Sequence, residues 1–125
     1  MSAIVPTAVE TPAPSNPLSH HKALIDEALA KAAEYERIFQ NQAKTSTASD
    51  AVAIEELTWT NHVHRVYLQH ANMLEGQERL RNIADVSSVE YFELEGDIKD
   101  ARFLRDHHFT EAEKIRPDRR IVVQE

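Results

Sequence analysis

Between Leu18 and Arg116 the chain has no proline, and its two glycines, Gly76 and Gly96, stand well apart. All five prolines fall within the first seventeen residues or at Pro117. About a hundred consecutive residues thus lack the Pro and Gly combinations that close tight turns and break helices. A sheet needs such turns at short intervals, whereas long helices need none. The chain therefore reads as all-α, and at 125 residues it is one domain able to bury a core without metal or disulfide staples.

Apolar spacing divides this stretch into three helices. The first, Ser19 to Lys44, repeats Leu24, Ile25, Ala28, Ala32, Tyr35, Phe39 and Ala43 at three- and four-residue intervals, with Lys22, Asp26, Glu34 and Arg37 over the remaining surface. A polar connector, Thr45 to Asp50, follows, and Ser49 or Asp50 supplies the next N-cap. The second helix, Ala51 to Ile83, has two apolar stripes: Val52, Trp59, Val63, Val66, Met73 and Leu74 on a broad face, Ile54, Leu57, Leu68 and Ala71 on another. Such width marks a helix with neighbours on more than one side.

The run Asp85 to Ser88 is too short for anything but an antiparallel return. The third helix, Val89 to Arg116, has a main stripe of Tyr91, Leu94, Ile98, Ala101, His108, Phe109 and Ala112. A second stripe, Phe92, Gly96, Phe103 and His107, lies well around the helix from the first and must face outward in a bundle of three. The expectation is three long antiparallel helices over residues 18–116, as a three-helix bundle or an extended helical hairpin, with extended tails at 1–17 and 117–125. Residue 43 then comes level with about 51, and 83 with about 88.

The tails carry apolar residues too. Residues 1–17 are rich in Pro, Ala, Thr and Val, a composition that favours extended chain, with Ile4, Val5 and Val9 as anchors for a strap that orders on a partner. After the Pro117-Asp118 turn, Ile121-Val122-Val123 is a β-branched triplet without an evident partner in three helices, suited to pairing with a sheet edge of another molecule.

Composition then excludes function classes. With 21 acidic and 14 basic residues, the net charge of −7 opposes a grip on phosphate backbone, so nucleic acid is not expected as the main partner. The one basic cluster, Lys114, Arg116, Arg119 and Arg120, sits where a helix C-terminus favours cations. The absence of cysteine removes thiol catalysis, CxxC zinc sites and disulfides. No apolar run approaches the ~18 residues of a membrane span, and the first twenty residues lack the basic start and apolar block of a signal peptide, so cytoplasmic residence is expected. There is no GxSxG, HExxH, GxGxxG or glycine-rich phosphate loop. Paired carboxylates such as Glu55-Glu56 diverge by about 100° on a helix. Neither enzymatic activity, nor a cofactor, nor a small-molecule substrate is expected.

Seven histidines raise the question of a metal. Di-iron bundles use Glu-x-x-His on facing helices, a motif this chain lacks. His108 and Glu111 have the spacing in reverse order and supply two ligands where a site needs three or more. The antiparallel register brings His21, His70 and Asp97 within about two turns of one another near one bundle end, at 1.5 Å rise per residue. They are the weak metal candidates; the plainer reading is of polar residues satisfied inside the bundle, with no metal assigned.

What remains is apolar surface beyond the needs of one core. The expected function is a non-enzymatic helical interaction protein, a structural subunit or adaptor that assembles with copies of itself or within a larger complex. Its partner-binding residues are Phe92, Phe103, His107, Ile121, Val122 and Val123. Virion and connector subunits combine a helical body with extended arms in this way, by analogy alone. The alternatives are a small acidic inhibitor or regulator that covers a basic surface of another protein and, with less support, a metal-binding bundle.

Overall fold

The computed structural model describes residues 17–45 and 50–124, with side chains of the first segment from residue 20 onward. The anchors Ile4, Val5 and Val9 and most of the first connector lie outside the described residues. Among the described residues there are three helices, α1 (Pro17–Thr45), α2 (Ala51–Arg81) and α3 (Val89–Ile115). α1 begins two residues ahead of Ser19 because proline is accommodated in a first helical turn, where its missing N–H would have no partner anyway. At the start of α2 the Asp50 carboxylate accepts from the Val52 and Ala53 N–H groups at 3.1 and 3.2 Å. Ser88 does the same for α3, its hydroxyl accepting from Tyr91 N–H at 3.1 Å. Asp85 tightens the return between them by accepting from both the N–H and the hydroxyl of Ser87.

α2 is the central helix. α1 and α3 both pack along it, and among the described residues no Cα of α1 comes within 8 Å of one in α3. Both pairings are antiparallel. His21 reaches Leu74 and His64 reaches Ala32 across the α1–α2 seam, while Gly76 meets Ile98 and Glu56 meets Arg116 across α2–α3. That register follows from the short connectors.

The core is built by large α2 side chains against isoleucines and alanines on its neighbours. One cluster joins Met73 and Leu74 to Ile25 of α1 and to Ile98 and Ala101 of α3. The other joins Trp59, Val63 and Tyr67 to Ala32 and Ala112. Alanines at the contacts let the flanking helices approach while α2 fills the space, which is why α2 has to be apolar on two sides. Its first turn is the exception: Val52 and Ile54 remain exposed.

The chain after α3 departs from expectation. It is extended, but the apolar triplet has a home in its own molecule. Ile121 and Val123 pack against the Trp59 cluster, and Tyr67 Oη donates to the Val122 carbonyl at 3.1 Å. His70 Nε2 lies 2.6 Å from the Gln124 carbonyl. Period-2 alternation explains the pattern: Ile121 and Val123 face inward and Val122 outward. A small cleft remains between α1, α2 and this segment, lined by Leu24, Ala28, Tyr67 and His70 together with Val122, Val123 and Gln124.

Candidate partner-binding surface

The outer face of α3 is assembled by helix periodicity alone. Leu94, Ile98, Ala101 and Ala112 are buried toward α2. At 100° per residue, Phe92, Gly96, Lys99 and Phe103 project about 180° away from that seam. Val89, Phe92 and Phe103 are 73%, 75% and 71% exposed. A side chain built at Gly96 would find no neighbour within 4 Å. The positions Val89, Phe92, Gly96, Lys99 and Phe103 advance by three and four residues, the a/d pattern of a coiled-coil seam, with Glu93, Glu95, Asp100 and Arg102 at the flanks. Fully burying one Phe contributes roughly 1.5–3 kcal/mol. Two rings left in water on one stripe are an unused contribution of that size each.

Of the residues expected to bind a partner, Phe92 and Phe103 lie together on this face and His107 is exposed at its far end. Ile121 and Val123 are instead partly buried in the chain's own core, and only Val122, at 60% exposed, leaves its side chain outside. The triplet has an acceptor within the chain, the Trp59 and Tyr67 cluster on α2, which apolar spacing along single helices does not reveal.

Charged residues fasten the same terminal segment. Glu56 binds Arg116 at 3.0 Å and Arg119 at 2.6 Å, and the Arg119 guanidinium lies over the Trp59 ring, 4.7 Å from its centre. The Arg119 hydrogen bond holds the Glu56 carboxyl below its ordinary range, against a smaller opposing effect of burial. Arg116 and Arg119 of the basic cluster thus form a clasp across α2 and the terminal segment, while Lys114 pairs with Glu111 on α3 itself.

Three of the histidines, His21, His64 and His70, are cross-links between segments. His21 Nε2 lies 2.7 Å from the Leu74 carbonyl and His64 Nδ1 2.8 Å from that of Ala32. His70 Nδ1 faces Arg105 Nη1 at 3.1 Å. Arginine only donates, so Nδ1 accepts and His70 carries its proton on Nε2, aimed at the Gln124 carbonyl. The third weak metal candidate, Asp97, is exposed on α3, and the two histidines are turned to carbonyl partners rather than toward it. Among the described residues no group of three or more His, Cys, Asp or Glu side chains is arranged to hold a metal ion.

His62 and His108 form a further pair across α2–α3, their Nδ1 atoms 3.0 Å apart. His107 packs edge-on against His108 with ring centres 5.2 Å apart. Burial is the main cause that holds both paired imidazoles below the usual histidine range. No spacing rule within a helix could have found this pair, because it depends on register across two helices.

Among the described residues no helix is long and apolar enough to cross a membrane. Compared with protein family models, curated proteins and solved structures, the chain matches none.

Proposed function

We propose that this protein is a non-enzymatic helical adaptor or structural subunit, working in the cytoplasm or in a particle assembled there, that docks another protein on the outer face of α3. One observation carries the reading: Phe92 and Phe103 are almost fully exposed on a continuous a/d stripe, opposite the seam that holds α3 in place. Single exposed apolar residues are ordinary on soluble proteins; aligned aromatic ones flanked by charge are the composition of interface anchors. The fold suits the role. α3 is held along its inner face by α2, so a partner would meet a preformed ridge and the ordering cost of binding would be small.

The test compares the full chain with a Phe92→Asp/Phe103→Asp variant in capture from the host lysate and in native mass. Matching thermal melts establish that the variant folds. The expected result is loss of a specific partner or of a higher native mass at unchanged melting temperature. Identical captured sets and identical mass would sink the proposal.

A further inference from the structure

We infer that the partner taken by the outer face of α3 is a basic amphipathic helix, carrying bulky apolar residues at heptad spacing and Lys or Arg beside them, rather than a second copy of this chain. The inference rests on the adaptor reading above and adds the chemistry of the partner. Charge decides it. Of the four charged residues that flank the Val89-Phe92-Gly96-Lys99-Phe103 stripe, Glu93, Glu95 and Asp100 are acidic and only Arg102 is basic.

Both ways of pairing two copies bring like charges together. In a parallel pair, flanking positions five residues apart meet, so Glu95 faces Asp100 of the second copy twice over, and Lys99 faces Lys99 at the seam. In an antiparallel pair, like flanks meet. Glu95 then gains Arg102 twice, but Glu93 is set against Asp100, also twice, so the flanks give no net attraction. Like charges opposed across an interface act against association, and the excess of acidic residues over the whole chain, 21 to 14, adds to the repulsion. A helix with Lys or Arg at both flanks makes the contacts of Glu93, Glu95 and Asp100 favourable and leaves only Arg102 facing like charge.

Gly96 sets the shape of the partner. It occupies a seam position between Phe92 and Phe103 where nothing lies within 4 Å of an added Cβ. In knobs-into-holes packing that is a hole with its own knob removed, so the facing helix must bring a large apolar side chain there. Lys99, a seam position, can lay its stem on the apolar surface of such a helix with its ammonium at the flank.

The test uses two synthetic helical peptides of about three heptads with Leu at the seam positions, one with Lys and one with Glu at the flanks, titrated onto the full chain. The Lys peptide should bind at least about tenfold more tightly than the Glu peptide, with amide shifts confined to residues 89–107. Its advantage should shrink in 0.5 M salt, where the screening length falls to about 4 Å. Phe92→Asp/Phe103→Asp should abolish binding although it adds negative charge, a change that would strengthen a purely electrostatic association. Gly96→Leu should weaken binding by about tenfold with the fold intact.

Equal binding of the two peptides, or Lys-peptide binding indifferent to the Phe substitutions, overturns the inference. So does a homodimer of the full chain that dissociates in the Phe variant, but that outcome leaves the adaptor reading standing with a different partner. Failure of the adaptor reading shows separately, as unchanged lysate capture by the same variant.

Discussion

Gly76 and Gly96 carry the same intrinsic penalty in a helix, roughly 1 kcal/mol relative to alanine, and meet opposite surroundings. A Cβ at Gly76 would lie 2.8 Å from Ile98 Cγ1, so that glycine is the condition for α2 and α3 to close on each other. A Cβ at Gly96 would meet nothing within 4 Å. The inner face of α3 thus explains its residues from contacts inside the molecule, and the outer face does not. A glycine and two aromatic rings on the outer face have a cost and no compensating contact among the described residues, which is the signature of a surface shaped by something else.

The comparison is broken most forcefully by truncating each side. Met73 is completely buried between α1 and α3 contacts, so Met73→Ala should lower unfolding free energy by about 2–5 kcal/mol in a urea titration. Phe103→Ser, on the outer face, should stay within about 0.5 kcal/mol of the parent. A loss at Phe103 comparable to that at Met73 would mean that the outer ring packs within the chain after all.

The glycines sharpen it further, because their alanine substitutions should differ in sign. Gly76→Ala forces a methyl group into Ile98, and overpacking of about 1–3 kcal/mol outweighs the gain in helix propensity. Gly96→Ala has only the gain, about 1 kcal/mol of added stability. Paired thermal melts decide the matter. A stabilising Gly76→Ala would show that the α2–α3 seam has slack to open.

Much of this was legible in the sequence because it depends on local rules. The proline-free stretch, the Asp50 and Ser88 caps and the 3.6-residue repeat set α2 and α3 to within two residues of their observed ends. The exposed Phe92/Phe103 stripe followed from angular separation on one helix. What was not legible depends on how faces are used between elements. Ile121 and Val123 alternate like any short strand, and nothing local says that α2 offers Trp59 and Tyr67 as their floor. The His62–His108 contact likewise needs a register between helices that the connectors give only to within a few residues.

The terminal segment offers a smaller test of the same contrast, since it covers part of α2 whereas among the described residues α3's outer face has no cover. Tyr67→Phe removes the hydroxyl that donates to the Val122 carbonyl at 3.1 Å while keeping the ring. The expected cost is about 0.5–1.5 kcal/mol, with faster amide exchange confined to residues 119–124. Exchange that accelerates across α3 as well would mean that the segment stabilises the whole bundle and not its own docking alone.

The smallest effect is expected from protons at the α2–α3 seam, and its sign follows from geometry. Two Nδ1 atoms 3.0 Å apart can share one hydrogen, one ring donating and the other accepting, but cannot hold two. Burial disfavours charge on both rings, and His107, Arg65 and the opposing Glu111 are the charged groups around them. Both pKa values therefore lie below the ordinary 6.5. The unfolded chain binds more protons than the native one just below pH 6.5, so stability is complete above that value and is lost as pH falls through the folded-state pKa values. Glu56, lowered from 4.5, acts in the same direction but only at more acid pH, which separates the two contributions. Melting temperatures from about pH 7 down to 5 should fall for the parent chain and fall less for His62→Gln/His108→Gln, because the double variant has no imidazole to protonate at this seam. Parallel curves for the two proteins would show that the pair titrates as it does in the unfolded chain.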